Sequence, residues 1–117
     1  VGSISILLRK GPYGSVDAAE AVRHAMGAVT EDLSVNLILV DAGVSAALTG
    51  QDPSGTAYLS IEEGIRDCLD MGVAVYVDRS SLREHQFDAH RLIPGVAEVP
   101  SSGIAEVIQD SDTVLVF

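Results

Sequence analysis

The residues of this chain with chemistry in them are one thiol, three imidazoles and two carboxylates that each close an apolar run. The thiol is Cys68, the only cysteine. A sulfur nucleophile has to ionise, which needs a helix N-terminus or nearby cations together with access to solvent. Cys68 instead sits late in an expected helix, on its apolar face, between Asp67 and Asp70. Negative neighbours raise a thiol's pKa, so the residue reads as a packing cysteine. A persulfide role for Cys68 requires the helix phase to differ by one turn. His24, His85 and His90 are scattered along the chain. No pair has the spacing of a zinc site, and His85 and His90 are expected on the surface.

Asp41 and Asp78 follow the runs Val35–Val40 and Val73–Val77. A phospho-accepting site would need acidic residues after the first strand to hold a divalent cation, but Arg9 and Lys10 stand there. The glycine turn Gly11-Pro-Tyr-Gly-Ser15 matches neither dinucleotide nor P-loop spacing. Asp17 and Glu20 just beyond it would repel a phosphate. It reads as a tight turn and cap, and no cofactor or metal is expected.

The elements that must position these residues follow from periodicity. Ser3–Leu8 is expected as a strand, and Ser15 as the cap of a helix running to about Ala28. Ala18, Ala21, Val22, Ala25 and Val29 share one face of that helix. Val35–Val40, nearly all apolar, is a second and central strand, followed by a short helix over Asp41–Leu48 and a turn-rich loop over Thr49–Gly55. Tyr58–Met71 is a helix with Tyr58, Ile61, Ile65, Cys68 and Leu69 on one face, closed by Gly72. The strand Val73–Val77, a helix near Ser81–His85, the strand Gly95–Val99, a helix over Ser102–Gln109 and the strand Thr113–Phe117 complete the series.

Strands alternating with helices imply an α/β protein with a parallel sheet covered on both faces. The simplest closure is a flavodoxin-like, three-layer fold with strand order 2-1-3-4-5. Its crevice lies at the strands' C-terminal ends, which gathers Tyr13, Asp41, Asp78, Arg79 and Ser80 as a candidate pocket. Asp78 and Arg79 could pair there. With no helix after the final strand, one face of that strand is a candidate subunit contact.

At 117 residues the chain is expected to form one domain over 1–117. Apolar residues make up 47% and mean hydropathy is +0.30, which points to surface covered by another subunit. Seventeen acidic residues against seven basic give a net charge of −10. Direct binding to nucleic acid is thereby excluded, because phosphates require clustered Lys and Arg. A single cysteine suits a reducing compartment. No run is long enough to span a membrane, and Val1-Gly-Ser-Ile enters a strand without a signal-peptide pattern. A cytoplasmic location is expected.

Several segments together resemble the DsrE/DsrF/TusC family of small sulfur-relay proteins. They are Ile4–Leu8 with Gly11–Gly14 and Ala18–Ala28, Val40-Asp-Ala-Gly-Val44, Leu48-Thr-Gly-Gln-Asp-Pro53, Ser80-Ser-Leu-Arg-Glu-His-Gln-Phe-Asp88 and Ser111-Asp-Thr-Val-Leu-Val-Phe117. The resemblance covers nearly the whole chain and rests on the order and spacing of these segments. It implies a homo-oligomer, or a hetero-oligomer with other DsrE-like subunits, that serves sulfur oxidation or tRNA 2-thiolation, with a sulfur-carrier protein as a further partner. Members of the DsrE/TusD type carry a persulfide on a cysteine, which by local alignment falls at about Val77 or Asp78 here. A carboxylate cannot replace a thiolate in sulfur transfer. The resemblance therefore implies a TusC/DsrF-type subunit without its own persulfide site. The alternatives are a sulfurtransferase using Cys68, or a small-ligand-binding module using the crevice near Tyr13, Asp41 and Asp78.

Overall fold

The computed structural model describes residues 2–12, 16–51 and 60–117. Five strands form one parallel sheet: β1 (Ser3–Leu8), β2 (Ser34–Leu39), β3 (Ala74–Asp78), β4 (Ala97–Val99) and β5 (Thr113–Val116). Between them run α1 (Asp17–Thr30), a 3-10 turn at Asp41–Ala47, α2 (Ile61–Asp70), α3 (Arg79–Glu84), a second 3-10 turn at Ala89–Arg91 and α4 (Ser101–Gln109). The α/β, flavodoxin-like character expected from the alternation is present.

The strand order is β4-β3-β2-β1-β5, which corrects the expected 2-1-3-4-5. The physical reason lies in β2. Val35, Leu37 and Leu39 face one side and Ile38 the other, and all four are buried. A strand that is apolar on both faces has to sit where both are covered. The observed order puts β2 at the centre, whereas the expected one would have left it at an edge. The chain steps outward from β1 through β2 and β3 to β4, then α4 carries it back to the far side of β1.

The larger core lies on one face. Ile6 and Leu8 of β1, Leu37 and Leu39 of β2, and Val75 and Val77 of β3 meet Ala18, Ala21, Val22 and Ala25 of α1 and Ile61, Ile65 and Cys68 of α2. Small side chains on α1 let it approach closely. Gly64 of α2 does the same, since a Cβ there would stand 2.9 Å from Val22 Cγ1. The opposite face holds Ser5, Asn36 and Ile38 by strand alternation. There the hydroxyls of Ser5 and Ser111, just beyond α4, hydrogen-bond each other, and Asn36 donates to Ser5 Oγ at 3.3 Å. Right-handed crossovers require this split, because the return through α4 runs opposite to the others.

Helix boundaries differ modestly from expectation. α1 starts at Asp17 after Val16, which makes no side-chain cap; Ser15, the expected cap, lies outside the described residues, as do Tyr13, Tyr58 and most of the Thr49–Gly55 loop. α2 is capped by Ser60, whose hydroxyl accepts from Glu63 N–H at 3.3 Å. Gly72 follows α2 in the left-handed region at φ 95°, where a side chain would be strained. The segment after β2 is a 3-10 turn rather than an α-helix.

Candidate functional site

The C-terminal edge of the sheet gathers three chain segments around one carboxylate. Asp78 ends β3 and caps α3, its Oδ2 accepting from Ser81 N–H at 3.3 Å and from Ser81 Oγ–H at 2.7 Å. Its other oxygen accepts from Ser101 Oγ–H at 3.0 Å, at the start of α4. Ser81 is buried, and its oxygen in turn accepts the backbone N–H of Asp41 at 2.9 Å. β2, β3 and α4 are thus tied through a single polar cluster. The strands above it explain the position: β3 and β4 are adjacent, yet the chain leaves β3 toward α3 and β4 toward α4, on opposite faces of the sheet. Divergence of this kind marks the position at which open α/β sheets carry ligands.

Asp41 is exposed, with its backbone in the left-handed region at φ 51°. Aspartate tolerates that region better than most residues, and the bond from its N–H to Ser81 holds it there. Beyond it, Gly43 lies against the end of β1, where a Cβ would fall 2.2 Å from the carbonyl oxygen of Leu8. This close approach brings the 3-10 turn and the Arg9–Pro12 turn together, with Gly11 near Ser45.

The expected pairing of Asp78 with Arg79 is replaced by two separate partnerships. Arg79 Nε donates to Glu98 Oε1 at 2.8 Å, bridging α3 to β4. The two side chains leave a strand-helix junction in different directions, and each finds the nearer partner of opposite role. Of the candidate pocket residues, Asp41 and Asp78 meet through Ser81, Arg79 points to β4, Ser80 is exposed, and Tyr13 lies outside the described residues. Ser81, Glu98 and Ser101 complete the cluster and were not among the five candidate pocket residues. Asp78 as the N-cap of α3 points three residues on to Ser81, which gives that residue a local signal, but Ser101 and Glu98 reach the site only through the sheet.

Each side-chain oxygen of Asp78 and Ser81 has a hydrogen-bond partner within the cluster. Both oxygens of Asp78 accept hydrogen bonds, and the Ser81 hydroxyl both donates and accepts. The sole thiol is elsewhere. Cys68 is fully buried in α2, and burial, with Asp67 beside it, pushes its pKa up to about 11. Its carbonyl accepts from Val73 N–H at 2.9 Å, at the start of β3. Asp78 closes the same strand, so the two stand about 16 Å apart along it, at 3.3 Å per residue. Among the described residues, no group of three His, Cys, Asp or Glu side chains is arranged to hold a metal. His85 and His90 are exposed, and the His85 ring stacks on Phe87. Two open clefts lie away from the crevice: one of about 420 Å³ beside α1, floored by Ile4 and Leu115, and one of about 600 Å³ between α1 and α2.

The family model for DsrE/DsrF-like proteins matches residues 2–117. The chain belongs to the DsrE/DsrF-like family. Similarity extends to the intracellular sulfur oxidation protein DsrF of Allochromatium vinosum, 28% identical over 126 residues, covering 95% of this chain and 93% of that one. An uncharacterized protein of Methanocaldococcus jannaschii is 26% identical over 114 residues, 97% of each chain. Among solved structures, the ychN protein of E. coli superposes with a TM-score of 0.90 at 26% identity over the full length of both chains. A protein of unknown function from Methanobacterium thermoautotrophicum shares the fold, with a TM-score of 0.75 at 12% identity. No described helix is long and apolar enough to cross a membrane.

Proposed function

We propose that this DsrE/DsrF-like chain is a subunit of a sulfur-relay assembly of the DsrF/TusC type that carries no persulfide itself. Such an assembly serves sulfur oxidation or tRNA 2-thiolation in the cytoplasm, and its other members supply the cysteines. The single observation that carries this reading is the β3–α3 junction. At about Val77 or Asp78, where the resemblance locates a thiol, this chain has a buried valine and a carboxylate whose two oxygens are committed to Ser81 and Ser101. A thiolate there could attack a disulfide or persulfide sulfur; a carboxylate acceptor cannot. The remaining thiol, Cys68, is buried and held protonated at neutral pH, so it lacks both access and charge. Similarity to a protein described as acting in intracellular sulfur oxidation supports the same reading.

The test is intact-mass measurement after incubation with a persulfide donor, alongside a Cys68→Ser variant. The expected result is no added sulfur on either protein under conditions that load a carrier. One added sulfur on the native chain, lost in Cys68→Ser, would make the chain a sulfurtransferase and sink the proposal.

A further inference from the structure

The cleft of about 600 Å³ between α1 and α2 is a groove with an apolar floor. Val22 and Ile61 in it are buried, and Ala19 and Met26 are half-buried. Ala19, Val22 and Met26 recur along α1 at the spacing of one helical face. On the α2 side, Gly64 has no side chain to fill the space. The groove runs from Ala19 to Met26 on one wall and from Ser60 to Asp67 on the other. At 1.5 Å per residue that is about 10 Å, or roughly two turns of a helix.

The rim is acidic, and unevenly so. On the α1 wall Glu20 is paired with Arg23. On the α2 wall Glu63 and Asp67 are exposed, and among the described residues neither carboxylate meets a cation. They stand at i and i+4, where like charges repel. Asp67 also shares the last turn of α2 with Asp70, at the end where the helix dipole favours cations, and that turn holds no basic residue. One wall of the groove thus carries negative charge that nothing among the described residues offsets.

We propose that this groove takes a basic amphipathic helix of a different protein. A third helix laid over a helix pair packs its ridges of side chains into the groove between them. The guest sets large apolar side chains, at i, i+3 or i+4 and i+7, on Ala19, Val22, Met26 and Ile61. Its Lys or Arg residues flank that stripe on the side of α2 and meet Glu63 and Asp67. A second copy of this chain supplies no such helix among its described residues. α1 and α2 each hold one arginine, α4 holds neither Lys nor Arg, and α3 has only six residues. A net charge of −10 also sets two copies against each other and draws a basic partner. The inference goes beyond the sulfur-relay reading and stands apart from it, since a persulfide on Cys68 would end that reading and leave the groove as it is.

The experiment is an NMR titration of the full, methyl-labelled chain with a synthetic peptide of about 14 residues that bears leucine on one helical face and lysine on the other. A peptide of the same composition, shuffled so that no apolar face forms, is the control. The expected result is that the patterned peptide alone shifts the methyl signals of Ala19, Val22, Met26 and Ile61, with an affinity that falls as salt rises. Asp67→Lys should weaken binding at least about tenfold, by setting like charges together. The same change places a cation where the dipole of α2 favours one, so the thermal midpoint should hold or rise, and lost binding is then not lost fold. Equal binding of the shuffled peptide, methyl shifts away from the groove, an affinity unmoved by Asp67→Lys, or no binding at all overturns the proposal. Groove signals that move when the protein alone is concentrated would put a second copy there, and overturn it as well.

Discussion

Asp78→Ala is the substitution whose consequences follow most directly from the cluster at the sheet's edge. The change removes the acceptor for Ser81 N–H, an N-cap interaction worth about 1 kcal/mol. It also strips the buried Ser81 hydroxyl of its acceptor, which costs about 1–2 kcal/mol because water cannot readily replace it. The bond from the exposed Ser101 adds about 0.5 kcal/mol at most. The expected loss is therefore about 3 kcal/mol, or roughly 10–15 °C in Tm for a chain of this size. Urea denaturation followed by circular dichroism gives the number. Asp78→Asn keeps one acceptor oxygen and should lose about 1 kcal/mol, while Ser101→Ala should stay within about 0.5 kcal/mol. In a double-mutant cycle, Asp78→Ala and Ser81→Ala should be strongly non-additive, since each deletes the other's partner. The reasoning is refuted if Asp78→Ala behaves like Ser101→Ala, or if the cycle closes additively.

Two glycines should respond in opposite directions. Gly43→Ala drives a Cβ into the Leu8 carbonyl and should destabilise by about 3 kcal/mol through forced backbone separation. Gly27→Ala, in α1 with nothing within 4 Å of the added carbon, should stabilise by up to about 1 kcal/mol through helix propensity. Equal effects in thermal melts would refute the packing argument. Glu62 carries a pH signature. The hydrogen bond from Arg66 and the N–H of Gln51 hold its carboxyl below the usual 4.5. A folded-state pKa below the unfolded one stabilises fully above the unfolded value and is lost as pH falls through the folded one. Denaturation midpoints of Glu62→Gln should accordingly fall short of the native protein's at neutral pH and converge with them in acid. Parallel curves across that range would contradict the assignment.

Local structure was legible because its causes are local. The alternating apolar strands, the Ala-rich face of α1 and Gly72 after α2 each announce themselves within a few residues, through steric and hydrophobic periodicity. So did the burial of Cys68, from its place on an apolar helical face between two aspartates. The sequence also determined that Asp78 stands at the β3–α3 junction, since that depends only on which residue follows the β3 run.

The central place of β2 was legible in its apolar run, but the order of the strands around it was decided by tertiary structure. Every parallel crossover has the same hand, so the local pattern is identical whichever neighbour a strand finds, and only the need to bury both faces of β2 selects the centre. The same non-local step decided the partners of Asp78 and Arg79. Ser101 and Glu98 lie 23 and 19 residues further along the chain. They arrive at the site only because β4 docks on β3 and α4 departs on the opposite face. The outermost place of β5 has that origin too: among the described residues its one neighbouring strand is β1, which is already paired with β2 on its other side.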